Sequence, residues 1–392
     1  MSVRDAVWRI IKCALNNEIC TLPDDTDWDA LLEECNRQTV QLLAFGAVDP
    51  KCIPDAFAEK WKRNFFSSYY VNIKNAEAHT ALSKLLEQNG IRFTIFKGIA
   101  SAAYYAKPEL RLTGDVDFYV AQEDFERCHR ILTESGYVFQ TGANHHERSF
   151  YKDGIHFEMH FAFPGVPNDQ SGDLLRDAFS DALDQTKEYR STVVTSDYHH
   201  GLIILLHTVY HLVSKGIGLR HLCDWAVFVQ HYTKDDFAAL FQNILEKCGL
   251  WDFALLLTKT CDKYFDVLDD TWNFTDDDDE IADSLANEFY AKGNFGNKES
   301  DNFSEMLLSE GFSIKLGQRS PLSQMLQNVF AITKQHWPLA QKSKVILFVG
   351  SFWFSVKYTV KAIFGKRKKF NLFKMSKIAK ERKEQYKKYG LH

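Results

Sequence analysis

Hydrophobic positions recur at helical spacing over roughly the first ninety residues: in "DAVWRIIKCAL", in "DWDALLEECNRQTVQLLAFGAV" and in the long run "IPDAFAEKWKRNFFSSYYVNIKNAEAHTALSKLLEQNG". Asp27 is placed to cap the second helix and Gly90 to close the third. An Asp oxygen accepts from the free N–H groups of a first turn, and Gly adopts the left-handed conformation past a last one. The period then shortens. "IRFTIFKG" is short and rich in β-branched and aromatic residues, "DVDFYV" alternates, and "EDFERCHRILTESG" returns to helical spacing before Gly136. After "YVFQTG" come two alternating runs in "ERSFYKDGIHFEMHFAF", and Asp153-Gly154 between them predicts a hairpin. From about residue 173 the helical period resumes and runs through "SDYHHGLIILLHTVYHLVSKG", "LRHLCDWAVFVQHY", "KDDFAALFQNILEKCG" and "WDFALLLTKTCDKYFD". The expected class is α+β. A small mixed sheet over 91–190 lies between a helical arm over 1–90 and a helical domain over 191–334, with an aromatic and basic extension over 335–392.

A chain of 392 residues is longer than one core usually grows, so two or three cores are expected. With 31 Phe and 45% hydrophobic residues it is far from the composition of a disordered chain. Its formal charge of −5 offers no global field to nucleic acid. The eight Cys are scattered without a CxxC pair, mostly among apolar neighbours, and read as reduced core residues of a cytoplasmic protein. The opening "MSVRDAVWRIIKCALNN" lacks the apolar core and cleavage site of an export signal, and no apolar stretch reaches the ~20 residues of a spanning helix. "NFTDDDDEIADSLANEF" places carboxylates ahead of a helix, where they complement its dipole, without the spaced loop of a calcium site. "KGNFGNKESDNF" reads as a linker. The tail from 335 joins aromatic residues to "GKRKKFNLFKMSKIAKERKEQYKKYG", a pattern that suits a helix packed on the core or a peripheral membrane or protein contact.

The informative chemistry is acidic. On a strand Asp115 and Asp117 point to one face, and two such carboxylates can bridge a pair of divalent ions of the kind that activate an attacking oxygen in phosphoryl chemistry. Like charges that close need a cation. A third carboxylate must arrive from another strand, and "HFEMHF" offers Glu158 with His156 and His160 on its face. The expectation is that this strand lies antiparallel beside another and delivers Glu158, with His160 a supporting or substrate group and His156 a strand-surface residue. Upstream, Lys97-Gly98 ends one strand and opens a helix of small residues. Free N–H groups there, the Lys97 charge and the Ser101 hydroxyl would seat a phosphate.

Taken in order, these pieces (Lys97, Gly98, Arg111, Gly114, Asp115, Asp117, Val120, then Glu158 and His160) resemble the "KG…R…DxDxLV" pattern of the uncharacterised bacterial nucleotidyltransferases, a family of the DNA polymerase β-like superfamily. The segment 207–229, "HTVYHLVSKGIGLRHLCDWAVFV", is similar to that family's helical "H…GxGLRxLxDxA". The resemblance covers roughly 90–230. It implies a nucleotidyltransferase core in which Asp115, Asp117 and Glu158 hold two Mg²⁺ and carry the chemistry. Lys97, Gly98, Ser101, Arg111, Gly114, His160 and Arg220 would then bind the nucleoside triphosphate, whose monophosphate passes to an unidentified acceptor hydroxyl.

The superfamily usually has Gly-Ser at the turn where this chain has Lys-Gly, which keeps a nucleotide-binding or scaffold protein with a degenerate site as the alternative. In "HTVYH", Thr208 stands where a zinc protease needs Glu, so His207 and His211 read as packing residues. Arg220 and Asp224 form either an i,i+4 ion pair or a phosphate-facing guanidinium oriented by its carboxylate.

Overall fold

Side-chain caps start several of the helices the sequence predicts. In the computed structural model, which describes residues 1–140, 147–167, 170–213, 216–293, 333, 343, 345–353 and 381–391, Ser2 Oγ accepts from the Asp5 N–H at the head of α1 (Val3–Leu15). Asp27 accepts from the Ala30 N–H ahead of α2 (Trp28–Arg37), as its position predicts. After α3 (Gln41–Ala47), α4 (Asp55–Gln88) runs for 34 residues and ends at Gly90, whose φ is +61°. The central part comprises β1 (Phe93–Ile95), α5 (Gly98–Ala102), β2 (Val116–Val120), α6 (Phe125–Glu134), β3 (Val138–Gln140), β4 (Glu147–Lys152), β5 (Ile155–His160), α7 (Gln170–Ala178), β6 (Thr186–Tyr189) and β7 (Thr192–Thr195). Then come α8 (Asp197–Val213), α9 (Leu219–Val229), α10 (Lys234–Cys248), α11 (Trp251–Phe265) and α12 (Asp279–Lys292).

The described strands form one mixed sheet in the order β3-β4-β5-β2-β1-β7-β6. Asp153 and Gly154 turn the β4–β5 hairpin at φ +53° and +80°, the left-handed pair of a type I′ turn. A second hairpin corrects the sequence expectation of helix from 173 onward, since β6 and β7 pair over residues 186–195. Its turn residues, Arg190 and Ser191, sit at φ +49° and +56° without Gly or Asn, so the usual turn signature is missing.

Helices from both ends of the chain share one core. Trp8 of α1 lies 4.3 Å, ring to ring, from Tyr264 of α11, and Arg37 of α2 donates to the Tyr290 and Ala291 carbonyls of α12. A second core packs α4 and α6 on the sheet through Leu82, Leu86, Phe118, Cys128, Leu132 and Phe157. All eight Cys are free thiols, as expected. Beyond Gly293 the expected linker lies outside the described residues, as does most of 335–380. At the C-terminal end Tyr386 and Tyr389 are buried, and Tyr386 donates to the Leu212 carbonyl at 3.2 Å.

Two asparagines of α4 hold the loop that leads into β2. Asn72 donates to the carbonyls of Glu109 (2.8 Å) and Arg111 (2.9 Å) and accepts from the N–H and hydroxyl of Thr113 (2.7 Å each). Asn75 donates to the carbonyls of Thr113 and Gly114. These bonds satisfy a buried irregular backbone that no strand pairs, and they fix the stretch immediately before Asp115. Asn72→Ala leaves several buried groups unpartnered, so it should lower unfolding free energy by about 3 kcal/mol, measured by urea denaturation. An unchanged midpoint would show that the loop is held by other means.

Candidate active site

β2 and β5 run side by side and parallel, with Asp117 opposite Glu158 and Tyr119 opposite His160. This modifies the expected geometry. β5 is antiparallel to β4 in its hairpin, but it delivers Glu158 to the aspartates from a parallel neighbour. Adjacent strands stand about 4.8 Å apart, so two carboxylates face one another on the same side of the sheet. Asp115, just before β2, joins them on the wall of a cavity of about 950 Å³ that Lys97, Gly98, Ser101, Arg111, Gly114, Glu147, His160 and Arg220 also line.

Each carboxylate has a nitrogen beside it. Asp115 Oδ1 is 3.2 Å from His156 Nδ1, which is 3.7 Å from Glu158 Oε1. Asp117 Oδ1 is 3.1 Å from Lys97 Nζ and 3.3 Å from His160 Nε2, and that imidazole nitrogen is 3.6 Å from Glu158 Oε2. Two three-residue groups result, Asp115/His156/Glu158 and Asp117/Glu158/His160, each with its ligand atoms within 4.8 Å of one another. They share Glu158.

Burial pushes the Asp117 carboxyl up, but Lys97 and His160 outweigh it and hold it well below the usual carboxylate range. His160 shows the complement: burial lowers it, yet its contacts with Asp117 and Glu158 win and raise it. Among the described residues around Asp117, the carboxylates of Asp115, Asp117, Glu147 and Glu158 face one ammonium, Lys97, and two imidazoles, with the Arg220 guanidinium acting on Asp115 at longer range. That surplus of negative charge, with mostly oxygen donors, fits divalent cations.

The residues expected from the sequence to seat phosphate stand at the β1–α5 turn. Lys97 takes φ +56°, unusual without Gly, and this backbone sends its side chain to Asp117. Gly98 follows at φ +34°, where an added Cβ would stand 3.3 Å from His79 Nε2. His79 is buried, pushed down to about 4 by that burial, and its Nδ1 lies 2.6 Å from the Asn75 carbonyl. Ser101 is buried one turn into α5.

Arg111 is held from behind. Its Nε and Nη2 donate to the two oxygens of Asp224 (3.0 and 2.6 Å), and Tyr105 OH donates to Oδ1 at 2.8 Å. Asp224 therefore serves Arg111 on the loop rather than Arg220 one turn away on α9. The Arg220 Nη1 has the Leu112 carbonyl at 3.5 Å, and burial with Arg111 nearby pushes its guanidinium down to about 10.

The fold brings two further residues to this cluster: Glu147, which sequence reasoning passed over, and His156, which it read as a strand-surface residue. Glu147 pairs in register with His160, and its Oε2 is 3.6 Å from His160 Nδ1. The signal was present: a two-residue turn at 153–154 sets Lys152 opposite Ile155, which puts Glu147 opposite His160 by counting back along both strands. His156 follows from the same pleat, two residues before Glu158.

Compared with known proteins, residues 24–266 match the model of a family described as uncharacterised nucleotidyltransferase. The match extends beyond 90–230 on both sides, taking in α2–α4 and the helices through α11. No curated protein matches the chain.

The opposed shifts of Asp117 and His160 imply two pH limbs in metal-free protein. The depressed Asp117 adds stability above about pH 3.9 that is lost as pH falls. The raised His160 adds stability that is complete below about pH 6.5 and is lost as pH climbs through its folded value. His160→Gln should therefore remove the decline on the alkaline side and shrink the acid limb without abolishing it, because Lys97 still faces Asp117, measured as denaturant midpoints against pH in chelator. The same alkaline slope in the variant would contradict the assignment.

Proposed function

The chain belongs to the family of uncharacterised nucleotidyltransferases, and from that premise we propose that it moves a nucleoside monophosphate from a nucleoside triphosphate to an acceptor hydroxyl in a metal-dependent reaction at the Asp115–Asp117–Glu158 cluster. The observation that carries this reading is the sharing of Glu158 between two ligand groups on one cavity wall. Asp115, His156 and Glu158 would hold one divalent ion, and Asp117, Glu158 and His160 a second. Mg²⁺ suits the oxygens, and Mn²⁺ also tolerates the imidazoles. When bound, such ions neutralise phosphate charge and favour the acceptor alkoxide.

The chain's own residues supply position. Lys97 turns from Asp117 to the β- and γ-phosphates, helped by the N–H of Gly98 and the hydroxyl of Ser101 at the turn. Arg111 keeps Gly114 and Asp115 in place through Asp224, and Arg220 faces the triphosphate across the cavity. Glu158 would also take the acceptor proton as general base. An acceptor O–P bond forms at the α-phosphorus, its bond to the bridging oxygen breaks, and pyrophosphate leaves. Catalysis rests on alignment and charge neutralisation, with no covalent enzyme intermediate.

The same reading assigns the chain to the DNA polymerase β-like superfamily, in a bacterial and cytoplasmic setting. Eight free thiols suit a reducing compartment. No described helix is long and apolar enough to cross a membrane. A peripheral contact by the C-terminal segment belongs to it too, supported by exposed Val345, Phe348, Phe352 and Trp353.

One observation favours the nucleotide-binding alternative: Lys97 already occupies Asp117, so the carboxylate has a cation without metal. Pyrophosphate release with each of the four nucleoside triphosphates and Mg²⁺ or Mn²⁺ separates the two. Turnover should depend on metal and fall more than about 100-fold in Asp117→Asn with the circular dichroism spectrum unchanged. Tight triphosphate binding without pyrophosphate release in the wild type would favour the binding protein, and turnover unaffected by Asp117→Asn would remove the assignment.

A further inference from the structure

A second group of ligand side chains lines the same cavity and takes no part in the chemistry above. His207 and His211 lie one turn apart on α8, and His221 enters from the first turn of α9. Their ring centroids are 4.3 Å (His207–His211), 5.3 Å (His207–His221) and 5.2 Å (His211–His221) apart. One ring nitrogen from each lies within 4.8 Å of the other two.

We propose that His207, His211 and His221 form a binding site for a borderline transition-metal ion of the Zn²⁺ type, distinct from the acidic cluster and open to the cavity at its fourth position. Two facts carry this. The donors are all imidazole nitrogens, a set that suits Zn²⁺, Co²⁺ or Ni²⁺ and is poor for Mg²⁺. They converge from two helices, and a Zn–N distance near 2.0 Å needs nitrogens about 3.3 Å apart, which modest side-chain rotation supplies from the present spacing. The sequence motif HTVYH lacked the Glu of a zinc protease, and the third ligand comes instead from α9, ten residues past His211 in sequence and adjacent to it only in the fold.

The surroundings specify what the fourth ligand must be. Lys97 and Arg220 act electrostatically on His207, and Arg111 and Arg220 on His221, so a bare dication would be opposed. Lys97 is matched by Asp117 and Arg111 by Asp224, and Arg220 donates to the Leu112 carbonyl with Asp224 and Asp115 acting on it at longer range. A dication held only by imidazole nitrogens beside Arg220 calls for an anion from the cavity: hydroxide, or a carboxylate or phosphate oxygen. The inference stands independently of nucleotidyl transfer.

The test uses the full chain, stripped with chelator and titrated calorimetrically with ZnCl₂ in excess Mg²⁺. Binding of about one equivalent that Mg²⁺ does not displace is expected. Co²⁺ in its place should give the strong visible absorption of a tetrahedral site. His221→Asn and, separately, His207→Gln should weaken Zn²⁺ binding at least about 100-fold, while Asp117→Asn should leave it unchanged. His207 is only partly buried, so its variant carries the test if His221→Asn does not fold. No Zn²⁺ binding, equal binding by the histidine variants, or loss confined to Asp117→Asn, which would place the ion at the acidic cluster, each overturns the proposal.

Discussion

The parallel pairing of β2 with β5 sets two carboxylates, the buried Asp117 and the half-buried Glu158, directly across from each other. That juxtaposition is unfavourable in isolation, because desolvation and repulsion act together on the charged forms. The structure answers it locally with Lys97 and His160, and each is placed at some cost. Lys97 adopts a backbone conformation that side chains other than Gly's rarely take, and His160 is buried to 2% exposure between acidic neighbours. Strain and burial of this kind persist only where the surroundings hold them, and they concentrate where a ligand is meant to complete the balance.

What holds the surroundings is a layer of polar contacts outside the cluster. The asparagines of α4 grip the loop before Asp115 by its own backbone, and Arg111 ties the same loop to α9 through a bidentate pair with Asp224. A buried ion pair contributes little net stability relative to an apolar substitute, yet removing one partner strands the other charge. Its consequence here is geometric: the sheet and the helices that carry His207, His211, His221 and Arg220 are locked in register across the cavity. Phe96 and Tyr105, from the segment around α5, are buried in the helical core, which makes the junction apolar as well as ionic.

One cavity thus presents two walls of contrasting chemistry. The sheet wall is rich in carboxylate oxygens and matches hard cations and their phosphate ligands, whereas the α8–α9 wall is nitrogen-rich with a guanidinium and matches softer ions or anions.

Much of the local structure was legible in the sequence, because short-range physics decides it. Asp27 as a cap, Gly90 as a stop, the Asp153-Gly154 hairpin and the shared face of Asp115 and Asp117 follow from hydrogen-bond geometry and the two-residue pleat. The β6–β7 hairpin was not legible, since Arg190 and Ser191 reach left-handed angles only under tertiary constraint. Neither was the partner of Asp224, where helical spacing favoured Arg220 and the fold supplied Arg111, 113 positions away. The carboxylates themselves could be named from the sequence. Whether β5 meets β2 parallel or antiparallel, whether His156 and Glu147 join them, and whether His221 reaches two histidines on another helix were decided by packing, because contacts between distant segments depend on how whole elements bury their apolar faces and not on spacing along the chain.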